Sequence, residues 1–265
     1  MKFPPVIRLR QDDTHHLVPR QYALDEQGPL SRLADDENEL SALTELEWST
    51  DNRVLGESGL LPGISIHELV FGVPHAHIVN AAFTYAHPTG SRLNGPERGA
   101  WYAAFGLETS QAEVAYRRAK ELQEINWSHP EVFQYVEYLA DFRAEFHDIR
   151  KQPDFSDCLS PDSYAASQRL AQLLLQRGSA GIIYPSVREK KHGDCISCFR
   201  PALVTNVHRG ASLDVRFENA SAVPTFVLAP KTQDLAQGTN KTLPEVMLAA
   251  YSSNAIATFS SGSRA

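Results

Sequence analysis

Cysteine is scarce, with three in 265 residues: Cys158, Cys195 and Cys198. Three thiols do not make a disulfide framework, so stability is expected from an apolar core in a reducing, cytoplasmic setting. Basic residues are outnumbered, 25 Lys and Arg against 32 Asp and Glu, for a formal net charge of −7. That balance argues against a broad phosphate-neutralising surface and hence against direct nucleic-acid binding. It leaves room for one local arginine site for a small anion. No apolar run approaches the roughly 18 residues of a membrane helix. The opening MKFPPVIRLRQDD has no apolar stretch of the signal-peptide kind. The chain also lacks a P-loop and a G-x-G-x-x-G turn, a G-x-S-x-G elbow, the zinc-deaminase pattern and any repeat of roughly 20–50 residues.

What is present is an ordinary globular composition, 42% hydrophobic and 22% charged, long enough for one large domain or a domain with an appendage. VIRLR reads as a short strand, and 11–34, broken by Pro19, Gly28 and Pro29, as loop. Helical spacing starts near Asp35-Asp36 and continues through Leu40, Leu43 and Leu46. SIHELVFG (65–72) suits a helical turn, and VNAAFTYA (79–86) a short strand. GAWYAAF (99–105) suits a buried strand. Ser110 and Glu113 have capping-box spacing before a helix that runs to about 125. VFQYVEYLADF (132–142) is a strand, 162–177 a helix ended by Gly178, and AGIIYP (180–185), CISCF and ALVTNV are further strands. Without a regular βαβα rhythm the fold class is α+β, a single mixed domain. Residues 1–215 form that domain, and 216–265 an appendage with a disordered tip.

Chemistry concentrates in 90–116, GSRLNGPERGAWYAAFGLETSQAEVAY. Arg92 sits between glycines, where a guanidinium can grip a phosphate or carboxylate through two parallel hydrogen bonds; the competing reading is a surface arginine. Tyr102, mid-strand, is a ligand platform or a core residue. Glu113 is a site carboxylate or the cap of its own helix. Ser186 ends a buried strand, as a ligand contact or a turn serine. His192, Cys195 and Cys198 have H-x-x-C-x-x-C spacing, but no second ligand pair accompanies them, and residues three apart on a strand point to opposite faces. No metal is expected. His15, His16, His75 and His77 read as surface or loop residues.

Three stretches together resemble the RES-domain family: VIRLR, GSRLNGPERGAWYAAFGLETSQAEVAYRR and GIIYPSVREKKHGDCISCFRP, in the family's order. The core motifs lie in 90–116 and 180–201. The resemblance implies a split-sheet cleft similar to that of ADP-ribosyltransferase toxins, with NAD as substrate and cleavage of its nicotinamide–ribose bond by hydrolysis or phosphorolysis. It implies the toxin of a toxin–antitoxin pair, with an Xre-type antitoxin as partner. On the same resemblance Glu113, Arg92 and Ser186 are the catalytic positions. Arg8, Arg92, Tyr102 and Ser186 are the positions that contact NAD, with Arg10 an equally placed alternative to Arg8. Protein ADP-ribosylation and a non-catalytic RES-like interaction protein are the alternatives. The chain departs from the family at Leu93, where an aromatic residue is usual, at Arg117-Arg118, and in the insert REKKHGD.

Overall fold

A computed structural model describes residues 2–23, 51–189, 193–220 and 223–228. These residues form strands β1 (Val6–Pro19), β2 (Trp101–Ala104), β3 (Glu131–Asp148), β4 (Gly181–Pro185), β5 (Asp194–Cys198), β6 (Thr205–Phe217) and β7 (Thr225–Leu228). The α-helices among them are α1 (Asn52–Glu57), α2 (Ala76–Thr84), α3 (Leu107–Glu124) and α4 (Ala165–Gln176). The strands join one sheet in the order β1-β2-β5-β4-β3-β6-β7, and β1 also pairs with β3. Five strands therefore close a ring, β1-β2-β5-β4-β3, from which β6 and β7 extend. Only the β3–β4 pair is parallel. This is the mixed α+β domain expected from the sequence.

Side-chain alternation gives the ring two faces. Leu9, Trp101, Ala103, Val136, Tyr138, Phe142, Phe146, Ile183, Ile196 and Cys198 share one buried cluster, which Val79 and Phe83 of α2 complete. The opposite face of β2, β5 and β4 carries Ala104, Cys195, Ile182 and Tyr184, packed against Leu170, Ala171 and Leu174 of α4. A third cluster joins Leu17, Tyr135, Leu213, Val215 and Phe217 to Leu122 of α3, with Leu107, Val114 and Ala119 beside it.

Several local expectations are revised. Polar residues 11–19 are strand: β1 continues through a bulge at Asp13, whose φ is 51°, with a register shift between Gln11 and Thr14. Pairing to β3 overrides the polar composition, and Thr14, fully buried, donates its hydroxyl to the Ala140 carbonyl at 2.8 Å. The stretch 79–86 is not a strand. Its apolar run belongs to α2, where Ile78, Val79 and Phe83 form a buried helical face, a pattern too short to separate from a strand by periodicity. The side chain of Asn80 secures this helix by accepting from Val70 N at 3.0 Å and donating to Val70 O at 2.9 Å. The capping box at Ser110 and Glu113 does not form, because α3 begins at Leu107 behind Gly106 and both residues lie inside the helix. β6 runs past 215 to Phe217 and pairs with β7, so 216–217 and 225–228 belong to the main sheet. The helix expected from Asp35 and the disordered tip lie outside the described residues. No helix among the described residues is long and apolar enough to cross a membrane.

Phe83 has no exposed surface and fills the space between α2 and the ring. Phe83→Ala is expected to destabilise the fold by about 3–5 kcal/mol through lost burial and a residual cavity. Equilibrium denaturant unfolding measures this as a lower midpoint at unchanged slope.

Candidate active site

The site is built on the α4-facing side of β2, β5 and β4. Antiparallel pairing sets Tyr102 opposite Ser197 and Ala104 opposite Cys195, and on the other edge of β5 sets Ile182 opposite Ser197 and Tyr184 opposite Cys195.

Arg92 comes from the tight turn before β2. Gly90 starts that turn at φ 72°, and a Cβ there would stand 2.3 Å from the Asn94 carbonyl, so both backbone conformation and space require glycine. The Arg92 side chain is buried at 6% exposure. Its Nη1 donates to the carbonyls of Cys158 and Ser160 at 3.2 and 2.8 Å, and its guanidinium lies over the Tyr164 ring at 4.8 Å. Nη2 is buried with no partner among the described residues. The surface-arginine reading is thus excluded. The grip differs from the expected one too, since Nη1 is already committed to two backbone carbonyls. Leu93 is 1% exposed and belongs to the α4-side cluster, which accounts for an aliphatic residue there.

Tyr102 holds that turn in place. Its hydroxyl donates to Asn94 Oδ1 at 2.7 Å and accepts from Leu93 N at 2.9 Å. Burial pushes its pKa up to about 12, against the pull of the Leu93 N–H. Asn94 is fully engaged, its amide also donating to Gly95 O and Arg98 O at 2.7 and 2.9 Å. Sequence reasoning passed over Asn94, although it stands inside the quoted motif.

Glu113 is joined to Ser186. The Ser186 hydroxyl, on a residue with no exposed surface, donates to Glu113 Oε1 at 2.6 Å. Ser186 Oγ itself accepts from Arg188 N and Glu189 N at 3.1 and 3.2 Å. The turn after β4 thereby aims the serine proton at the carboxylate. Three residues of α3 at helical spacing meet this turn: Thr109 donates to Glu189 at 3.0 Å, Glu113 accepts from Ser186, and Tyr116 lies under the Arg188 guanidinium at 3.4 Å. Arg188 also reaches the Pro161 carbonyl at 2.6 Å, bridging α3 to the loop before α4.

Arg92 and Glu113 act on the same two neighbours. Burial raises Tyr184 well above its ordinary value; the charge of Glu113 adds to this and that of Arg92 opposes it. Cys195 is raised chiefly by burial, with Glu113 adding and Arg92 opposing in the same way. Arg92 bonds to the carbonyl of Cys158, a member of the α4-side cluster, and Ser186 follows Tyr184 of that cluster by two residues, so the cation and the serine–carboxylate pair lie on one side of the sheet. Arg8 and Arg10 do not join them. Both are exposed on β1, alternating with the inward Ile7 and Leu9, and neither has a hydrogen bond to Arg92, Tyr102, Glu113 or Ser186. Cys195 and Cys198 fall in clusters on opposite faces of β5, and His192 lies outside the described residues.

His16 is not the surface residue expected. β1 meets β2 at His15 opposite Ala104, and His16 sits beside that contact, stacked on Trp101 at 4.1 Å. Its Nδ1 lies 2.6 Å from the Tyr102 carbonyl, which only accepts, so Nδ1 carries the proton. Burial lowers its pKa from 6.5 to about 4, with the Tyr102 carbonyl opposing and Arg117 adding. Above pH 6.5 the ring is neutral in folded and unfolded chains alike. As pH falls from 6.5 towards about 4, only the unfolded chain takes up the proton. Stability is then lost by up to about 1.4 kcal/mol per pH unit. His16→Gln is expected to flatten that slope, read from denaturant midpoints at about pH 7 and about pH 5 in the two proteins.

No curated protein matches the sequence. Among solved structures, a chain of the M. tuberculosis MbcT–MbcA toxin–antitoxin complex aligns with a TM-score of 0.41 and 11% identity, over 79% of this chain and 86% of that one. The profile of the RES domain matches residues 69–218, more than half of the chain. That span takes in Arg92, Tyr102, Glu113 and Ser186 together and leaves Arg8 outside, and the chain belongs to the RES domain family.

Proposed function

We propose that the protein consumes NAD by cleaving its nicotinamide–ribose bond. The observation that carries this reading is the 2.6 Å bond from Ser186 to Glu113. It holds a carboxylate in a fixed position on a face shared with the buried guanidinium of Arg92.

The chemistry follows from the bond that breaks. The ring nitrogen of NAD is cationic, and nicotinamide leaves as a neutral molecule with the electron pair of the glycosidic bond. Positive charge then develops on the ribose, as at other glycosidic centres. A preorganised carboxylate stabilises that charge without reorganising. At about 4 Å and an effective dielectric near 20 the attraction is on the order of 4 kcal/mol. Realised only in the transition state, it corresponds to roughly a thousandfold in rate. Glu113 takes this role, with Ser186 fixing Oε1 and leaving Oε2 to face the sugar. The partnerless Nη2 of Arg92 receives a phosphate oxygen of the substrate, and the Tyr102–Asn94 bond keeps that arginine in place. Tyr102 offers its ring edge to the nicotinamide. Water or inorganic phosphate completes the reaction at the ribose carbon. Family membership extends the reading to a toxin restrained by an Xre-type antitoxin.

Purified wild type is expected to release nicotinamide from NAD. Glu113→Gln is expected to lower kcat by roughly a thousandfold, with a melting temperature close to that of wild type. Wild-type protein that leaves NAD intact would overturn the reading. Label from adenine-labelled NAD appearing on protein, instead of in free ADP-ribose or its phosphate, would move the assignment to ADP-ribosyl transfer.

A further inference from the structure

Arg92 alone is a sparse receptor for a diphosphate. Its Nη1 is occupied by two backbone carbonyls, which leaves Nη2 as its partnerless end. A dinucleotide carries two phosphates, each with a negative charge, so a cleft that holds one needs a further donor. The neighbouring cations are mostly committed. Arg188 is held by the Pro161 carbonyl and the Tyr116 ring. Arg118 is held by Glu121 and the Tyr135 hydroxyl. Arg150 is held by Asp148 and Asp194.

Arg117 is different. It stands four residues after Glu113 on α3, one turn along the same helical stripe. It is exposed, and no carboxylate or carbonyl among the described residues bonds to it. The apolar stripe of α3, with Leu107, Val114 and Leu122, turns to the sheet. The stripe of Thr109, Glu113 and Tyr116 faces the turn after β4. Glu113 and Arg117, four residues apart, lie on neighbouring turns of one helix face, which brings Arg117 next to the carboxylate that Ser186 holds. An exposed planar guanidinium one turn from Glu113 suits a phosphate oxygen pair.

We propose that Arg117 is the second phosphate-binding cation of this cleft, sharing with Arg92 the diphosphate of a dinucleotide whose ribose faces Glu113. This rests on the proposed NAD reading for the identity of the ligand, but binding is separable from cleavage. ADP-ribose keeps the diphosphate and lacks the scissile bond.

The test titrates ADP-ribose by calorimetry into wild type, Arg117→Gln and Arg117→Lys, alongside NAD turnover. Arg117→Gln is expected to weaken ADP-ribose binding by about tenfold or more, with the melting temperature unchanged because the side chain is exposed. Arg117→Lys, which keeps the charge, is expected to recover part of that loss. Added salt is expected to weaken wild-type binding more than Arg117→Gln binding. In turnover, the KM for NAD rises in Arg117→Gln while kcat stays within about twofold of wild type. Unchanged ADP-ribose affinity in Arg117→Gln, or no binding by wild type, overturns the proposal. Weakened binding in a protein that leaves NAD intact supports the phosphate role and removes the cleavage reading. Normal turnover with unaltered affinity in the variant does the reverse.

Discussion

Three short strands in one register hold the molecule together. β2, β5 and β4 place Trp101, Ala103, Ile196, Cys198 and Ile183 on the inner face of the ring, and Tyr102, Cys195, Tyr184 and Ile182 on the other. A slip of one residue would exchange the two faces. The inner set would then lose its apolar partners, and Tyr102 would lose both Asn94 and the Arg92 turn. The same alternation that builds the core thus selects which residues reach the site.

On that base, two motifs far apart in sequence become one device. The turn before β2 supplies Arg92, held by the Cys158 and Ser160 carbonyls, while Tyr102 and Asn94 fix the turn itself. The turn after β4 supplies Ser186, whose hydroxyl accepts from two backbone N–H groups and donates a hydrogen bond to Glu113. Helix α3 connects these parts. Its apolar stripe docks on β1, β3 and β6, and this fixes the rotation at which Glu113 and Arg117 are presented. The rigidity belongs to the scaffold, and on it Arg92 Nη2 is left without a partner among the described residues.

Polar groups that look incidental in sequence carry part of the fold. His16 fills the place where β1 meets β2, neutral and pinned by a carbonyl. Thr14 bonds across the bulge to Ala140. Glu137, 5% exposed, accepts from the backbone of Ala211 at 2.9 Å and bonds His15 at 2.6 Å. Each is a buried or half-buried polar group whose desolvation is offset by a specific partner.

The sequence by itself determined the α+β class and most of the strands and helices, and it singled out Arg92, Tyr102, Glu113 and Ser186 as candidates. Apolar periodicity, turn residues and local motifs are written in neighbouring positions, so they can be read without a structure. It misassigned α2, the second half of β1 and the start of α3, where a local pattern was overruled by pairing or packing. Only the tertiary structure decided that Glu113 meets Ser186 instead of capping a helix, that Arg92 is buried and half-committed, and that Arg8 stays on an exposed face of β1. Those outcomes depend on partners dozens of residues away. Spacing along the chain does not encode such contacts, because the closing of the ring sets them.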